Sequence, residues 1–277
     1  MNAEAGGPSK SLFEQLYHNA RRIVIDGVTH WRVEGDLLLD EEQLRRYALQ
    51  QEAAKTARAA AREAGMPLVA TAELVGMAEG GRILRWAPGL ELSYAVLSKT
   101  FAVGGQDGYR LAVDCLRRAT ADWESTCGVR FVHRADLDDS DSLTPAGVLF
   151  VVREFPASGS FIAAAFFPND PVNRRRVLID PSFYELGAGS FDRSGVLRHE
   201  LGHVLGFRHE HIRSEAPPGC PDEATYGTVD LTKFDPRSVM HYFCGGVGSK
   251  ELLITELDKQ GAQQVYGPPL KNFQFVS

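Results

Sequence analysis

The stretch Val196 to His211, VLRHELGHVLGFRHEH, carries four histidines and two glutamates, and three of the histidines stand at spacings that can gather them with a glutamate around one metal ion. His199 and His203 lie four residues apart. On a helix both imidazoles then leave one face about a turn apart, close enough to bind a single cation, and Glu200 falls beside it. Gly206 can take a left-handed conformation closed to most residues, so the helix can stop there and the chain can double back to bring in His209 as a third ligand. Three neutral imidazoles suit Zn2+ and leave a position open for water, as in a catalytic rather than a closed structural site. A lone HExxH arises by chance in many helices. The longer pattern HExxHxxGxxHE, set in an apolar frame of Val196, Leu201, Val204, Leu205 and Phe207, favours metal over chance.

This extended motif resembles that of the metzincin metallopeptidases, and Glu210, directly after the third histidine, narrows the resemblance to the astacin family. Metzincins carry a methionine turn beneath the zinc, and FDPRSVMHYF, Phe234 to Phe243, is similar to it. The resemblance makes Met240 the apolar floor under the histidines and gives Tyr242 the place of a fifth zinc ligand. Upstream, RWAPGLELSYAV looks like the start of an astacin catalytic domain leading into its first strand. Leu111, Ala112, Cys115, Leu116 and Ala119 then give Gly108 to Ser125 helical periodicity, and TCGVRFVHR alternates as a strand does. A helix followed by such a strand is also astacin-like, so the resemblance runs from about Arg82 to Gly267. It implies an α+β fold: a metzincin catalytic domain with a twisted, mostly parallel sheet, a backing helix and an active-site helix, preceded by a mainly helical N-terminal pro-segment.

The chemistry implied is hydrolysis of peptide bonds. Zinc lowers the pKa of a bound water and polarises the scissile carbonyl. Glu200 would accept the water's proton and pass it to the leaving amine, and Tyr242 would hydrogen-bond the oxyanion. In mature astacins the glutamate at the place of Glu210 meets the new N-terminus left by propeptide removal, which predicts cleavage between Gly65 and Trp86; a solvent-facing helix-end glutamate is the plainer alternative. His211 has no counterpart as a ligand and is expected to be a solvated surface residue. Metzincins bind an extended peptide along an edge strand. SGSFIAAAFF, Ser158 to Phe167, is either that edge or a buried core strand, which periodicity cannot separate. Many astacins favour an acidic residue after the cut, and Arg237 or Lys250 is a candidate basic partner.

The chain divides into an N-terminal regulatory unit, residues 1–81, and a peptidase domain, residues 82–277. Glu41 to Ala64 is dense in Ala, Glu, Arg, Gln and Lys, a composition for an exposed helix with Asp40 as its N-cap. The glycine-containing stretch REAGMPLVATAELVGMAEGGR reads as a connector. Within the N-terminal unit, WRVEGDLLL contains Val33-Glu34-Gly35-Asp36, similar to the Phe-x-Gly-Asp segment of astacin proenzymes except for valine in place of phenylalanine. The resemblance makes Asp36 the ligand that takes the place of water in a latent precursor, with the chain's own N-terminal segment as intramolecular inhibitor. Read without it, the segment is an ordinary Gly-Asp turn between two short strands.

At 277 residues, 44% hydrophobic and 24% charged, the chain can bury a full core. A net charge of −6 and the lack of a basic cluster argue against nucleic acid or an anionic membrane as partner, and the resemblance implies protein or peptide substrates. No apolar run is long enough to span a bilayer. The start, MNAEAGGPSKSLFEQLYHNARR, lacks the apolar core of a secretory signal, although the family resemblance favours a secreted protein. Cys220 and Cys244 flank the methionine turn and could be bridged. Cys127 matches an astacin position whose usual partner is missing here, and Cys115 is as readily a buried thiol as a bridge partner. Two functional classes follow: a zinc endopeptidase made as a latent precursor, or a non-catalytic metzincin-fold protein that binds a peptide in its groove. The missing astacin disulfide adds a matrixin-like peptidase as a further variant of the first.

Overall fold

The computed structural model describes residues 11–63, 74–79, 82–213, 215–220 and 228–270. In chain order its elements are α1 (Leu12–Asn19), β1 (Arg22–Ile25), β2 (Val28–Val33), β3 (Leu37–Leu39), α2 (Glu41–Glu63), β4 (Val75–Glu79), β5 (Arg82–Ile83), β6 (Glu91–Val96), α3 (Gly105–Thr126), β7 (Arg130–His133), β8 (Phe150–Glu154), β9 (Ala163–Ala164), β10 (Arg176–Ile179), α4 (Arg193–Val204), β11 (Thr228–Asp230) and α5 (Glu256–Tyr266).

The main sheet has the order β7-β6-β8-β10-β9. Its first four strands pair in parallel, and β9 closes one edge antiparallel to β10. The fold is therefore α+β with a mixed, mostly parallel sheet. Strand β8, FVVRE, is buried at every position, as expected of a strand in a sheet covered on both faces. Helix α3 buries Ala112, Cys115, Leu116, Ala119 and Trp123, residues that recur every three or four positions along one stripe. That stripe packs against α4: the Trp123 indole donates to the Arg198 carbonyl at 2.9 Å and its ring stacks on Phe207 with centroids 5.6 Å apart. Helix α4 is buried from Ser194 to Val204, with its N-terminus capped by the Asp192 carboxylate, which accepts from Gly195 N.

Ahead of the main sheet the described residues are helical for the larger part, in α1 and α2, but they also form strands. A three-stranded antiparallel meander, β1-β2-β3, lies between α1 and α2. Strand β1 shows the period of two of a half-buried strand: Ile23 and Ile25 point inward while Arg22 and Val24 point out. Helix α2 does start at Asp40, whose carboxylate accepts from Gln43 N at 2.7 Å. The last part of the expected connector is also structured. Strand β4 sits in a second small sheet of order β11-β4-β5, and Leu74 joins the main core. The expected cleavage region falls partly on residues 64–73 and 80–81, outside the described residues.

The meander covers the open side of β9. Ile23 and Ile25 pack with Phe161, Ala164 and Leu178, while Asp26 pairs with Arg153 at 2.6 Å. Within Ser158 to Phe167, Ala163–Ala164 forms the edge strand of the sheet, and both alanines are buried, as the core-strand reading expects. Cys220 and Cys244 form a disulfide, whereas Cys115 and Cys127 are free and buried.

Candidate metal centre

Helix α4 delivers His199 and His203 from one face, and Gly206 ends it with φ of 94°. The chain then turns back along β4: Met77 N donates to the Gly206 carbonyl at 2.8 Å, and Gly76 and Phe207 form an antiparallel bridge. This pairing aims His209 back at the helix. Two of the rings are fixed from behind by main-chain carbonyls, Nδ1 of His199 donating to Val239 O at 2.7 Å and Nδ1 of His203 to Phe207 O at 2.8 Å. With Nδ1 occupied as donor, Nε2 is left as the lone-pair atom facing the centre, the usual outer-shell arrangement of metal-binding imidazoles.

The Nε2 atoms converge. His203 Nε2 and His209 Nε2 are 3.1 Å apart, and the Asp36 carboxylate lies 3.4 Å from His199 Nε2, 3.8 Å from His203 Nε2 and 3.2 Å from His209 Nε2. One ligand atom from each of Asp36, His199, His203 and His209 falls within 4.8 Å of the others, and all four residues are buried. Among the described residues His199 Nε2 and Asp36 Oδ1 have no hydrogen-bond partner despite their burial. Buried polar atoms are normally satisfied, and a cation accepting their lone pairs would satisfy these. Three imidazoles and an oxygen donor are a zinc ligand set, so the residues fit the ion.

The charges agree with a cation at this point. Burial opposes a proton on His209, yet the carboxylates of Asp36 and Glu34 on either side of its ring outweigh burial and raise its pKa to about 10. Burial pushes His203 down to about 4, which keeps it neutral. Burial would raise Asp36, but the His209 charge and the other two imidazoles around it hold it well below the usual carboxylate range. Glu200 goes the other way: burial, followed by the Asp36 charge, drives it well above that range. Its Oε2 has no hydrogen-bond partner among the described residues, and it lines a cleft of about 480 Å³.

Beneath the rings, Met240 is fully buried, and any Cβ at Gly202 would overlap its sulfur. The turn that carries it is pinned by α5. Asp258 accepts from Ser238 Oγ at 2.6 Å and Val239 N at 2.8 Å, while Ser238 Oγ accepts from Met240 N at 3.0 Å. Tyr242 stacks against His209 with ring centroids 4.5 Å apart and against His199 at 5.5 Å. Its edge meets Gly35, where a Cβ would lie 2.7 Å from Tyr242 Cε2 and where φ is 88°. Only glycine fits there. The Gly-Asp pair is thus a strand-connecting turn and also the contact that places Asp36 among the histidines.

The expectation for His211 needs correction, the solvent-facing alternative for Glu210 fails, and the two candidate basic partners do not line the cleft. His211 is not solvated: it is fully buried, stacks on Tyr242 at 4.6 Å and on His209 at 4.8 Å, and burial followed by the His209 charge lowers its pKa to about 2. A sequence pattern has no sign for this, because the burial comes from the returning methionine turn. Glu210 does not face solvent either. It is 1% exposed, pairs with Arg213 at 3.2 Å and accepts from Asp235 N at 3.0 Å. Finally, Arg237 is exposed, and Lys250 donates to the Gly189 carbonyl at 2.6 Å and reaches the cleft only through the Phe243 ring, 5.6 Å away. The cleft itself is lined chiefly by apolar groups such as Ile162, Phe191, Val196 and Leu252, with Arg32 as its basic member.

Sequence reasoning passed over Gly202, Glu34, Arg208 and Asp258. Asp258 had a local signal, since Thr255 and Asp258 form a capping box at the start of α5. The other three acquire meaning only from contacts across the fold.

No family model matches the chain. Over 191 residues it is 24% identical to matrix metalloproteinase-16 of Rattus norvegicus and 23% identical to that of Homo sapiens, matches that cover 65% of this chain and 27% of each relative. The chain thus matches little more than a quarter of the length of these relatives. Among solved structures it is similar to myroilysin, with a TM-score of 0.46 and 16% identity over 71% of this chain and 100% of that one. It is also similar to high choriolytic enzyme 1, a hatching enzyme zinc-protease of Oryzias latipes, with a TM-score of 0.41 and 16% identity over 67% of this chain and 95% of that one.

Proposed function

We propose that this chain is a metzincin-type zinc endopeptidase in a latent form, with Asp36 of its N-terminal segment on the metal. The observation that carries this reading is the buried convergence of His199, His203, His209 and Asp36 at the inner end of a cleft that also holds Glu200. The metalloproteinase relatives in sequence support it. A zinc ion held by the three histidines supplies a Lewis acid that polarises a peptide carbonyl and acidifies water.

The chain's own residues do the rest. Glu200, one residue from the first histidine and on the cleft wall, accepts the attacking water's proton and hands it to the leaving amine. Tyr242, packed on two of the rings, is the hydroxyl available to the developing oxyanion. The apolar cleft takes a substrate side chain. In the latent form Asp36 fills the position that water and the scissile carbonyl need. Cleavage in the connector would release the segment that carries Asp36, and a cut ahead of β4 leaves Val75–Glu79 with the peptidase domain, where it keeps His209 in place. Glu210 is the candidate partner for the N-terminus so created, exchanging Arg213 for it. Glu210 and Tyr242 favour an astacin-like enzyme, while the matched relatives are matrix metalloproteinases.

The test is to incubate the purified chain with zinc and a denatured protein substrate, following substrate fragments and the chain's own N-terminus. We expect processing and substrate cutting in the wild type, and a drop of about 10²- to 10⁴-fold in Glu200→Ala. A zinc-loaded, processed wild type that cuts nothing would sink the enzyme reading and leave the alternative of a peptide-binding protein on this fold.

A further inference from the structure

The metal reading leaves Glu34 without a role. Two residues before Asp36, it sits in the turn between β2 and β3 with φ of 48°, and none of its side chain is exposed. A carboxylate survives such burial only with partners. One is the Arg208 guanidinium, in contact with Oε1. The other is His209: Glu34 Oε2 lies 3.4 Å from its Nδ1, a few tenths of an ångström beyond an ordinary N–H···O bond. Neither of these two atoms has a hydrogen-bond partner elsewhere among the described residues.

The three histidines differ in this respect. His199 and His203 are oriented by carbonyls of the domain that contains them, Val239 and Phe207. Behind His209 there is instead a side chain brought in by the N-terminal segment. That segment therefore touches His209 at both nitrogens, with Asp36 at Nε2 and Glu34 at Nδ1.

We propose that Glu34 is the positioning residue of the third histidine. It holds Nδ1–H against its carboxylate and turns Nε2 to the metal, so the chain binds metal more tightly while the N-terminal segment is seated than after it leaves. The inference rests on the metal reading above and adds to it a second contribution of the segment, separate from the Asp36 ligand. A carboxylate behind a ligating imidazole fixes its tautomer and raises its basicity, and losing such a partner commonly weakens metal binding about 10- to 100-fold.

The experiment measures zinc affinity of the full chain by chelator competition, and the visible spectrum of the cobalt-loaded chain, for wild type, Glu34→Ala, Glu34→Gln and Arg208→Gln. Glu34→Ala is expected to weaken zinc binding toward the upper end of that roughly 10- to 100-fold range and to shift the cobalt bands. Glu34→Gln, which keeps an acceptor without the charge, should lie near the lower end. Arg208→Gln leaves the Glu34–His209 contact and should lose less than either. Affinities within about twofold of wild type for folded Glu34 variants would overturn the assignment, and Glu34→Gln alone decides if the alanine variant does not fold. A loss in Arg208→Gln equal to that in Glu34→Ala would also overturn it, since Glu34 would then only fasten the segment to the arginine. A wild type that takes up no zinc would instead fail the metal reading itself.

Discussion

The turn from Ser238 to Tyr242 and the turn from Glu34 to Asp36 both meet the three histidines, but they are fastened differently. The first hangs on main-chain and hydroxyl bonds remote from the metal-facing nitrogens: Asp258 to Ser238 and Val239, Ser238 to Met240, and Glu210 N to the Met240 carbonyl at 2.8 Å. The second grips the site itself through charge, with Asp36 on the Nε2 atoms and Glu34 on Arg208 and His209. A floor tied to the scaffold stays when the site changes its occupant. A cover tied to the occupant's own ligands competes with whatever comes next, which is the property a removable inhibitor needs.

Metal removal should affect both turns and give the largest effect. With zinc at about a thousand times its Kd, chelation is expected to cost the chain about 4 kcal/mol of stability, read as a shift in urea midpoint with and without zinc. Coincident curves would mean that no ion joins the two turns. Breaking only the floor comes next. Asp258→Ala leaves Ser238 Oγ and Val239 N without their buried acceptor and should cost about 2–3 kcal/mol by thermal unfolding, with Asp36 still seated.

Gly202→Ala tests the floor from the other side. The added methyl enters the space of the Met240 sulfur and should destabilise the chain by about 1–3 kcal/mol; a neutral result would show that the methionine has room to move. The smallest energy belongs to the cover. Asp36→Ala should raise cleavage by the unprocessed chain about tenfold, some 1.4 kcal/mol, assayed before any N-terminal trimming, and an equally latent variant would remove Asp36 from the inhibition.

Much of the site was legible because its spacing is local. Histidines at i and i+4 share a helix face whatever surrounds them, and a glycine three residues on permits only a few continuations. Strands β8 and β10, buried in the middle of the sheet, were not singled out, whereas helix α3 was legible as a stripe of period 3.6 and β7 by its alternation. The meander before α2 was less so, since its strands are short and the neighbouring Ala-rich helix dominates the composition. Nothing local distinguished His211 as buried from His211 as exposed. Its burial depends on Tyr242, thirty-one positions away, returning to stack on it.

By itself the sequence pointed to the histidine trio and the candidate base beside it, because helix pitch and the glycine turn fix their spacing, while the methionine turn and the role of the Gly-Asp pair came from the resemblance to the astacin family. Tertiary structure alone decided which carboxylates reach the histidines. Asp36 and Glu34 lie at either side of one glycine and differ by a methylene, so no local rule assigns them to opposite nitrogens of His209. That assignment comes from the close fit of Gly35 on Tyr242 and from the charge of Arg208, placed by strand β4 next to the third histidine. Contacts between distant segments settle it, because a buried charge is stable only where the whole fold supplies its partner.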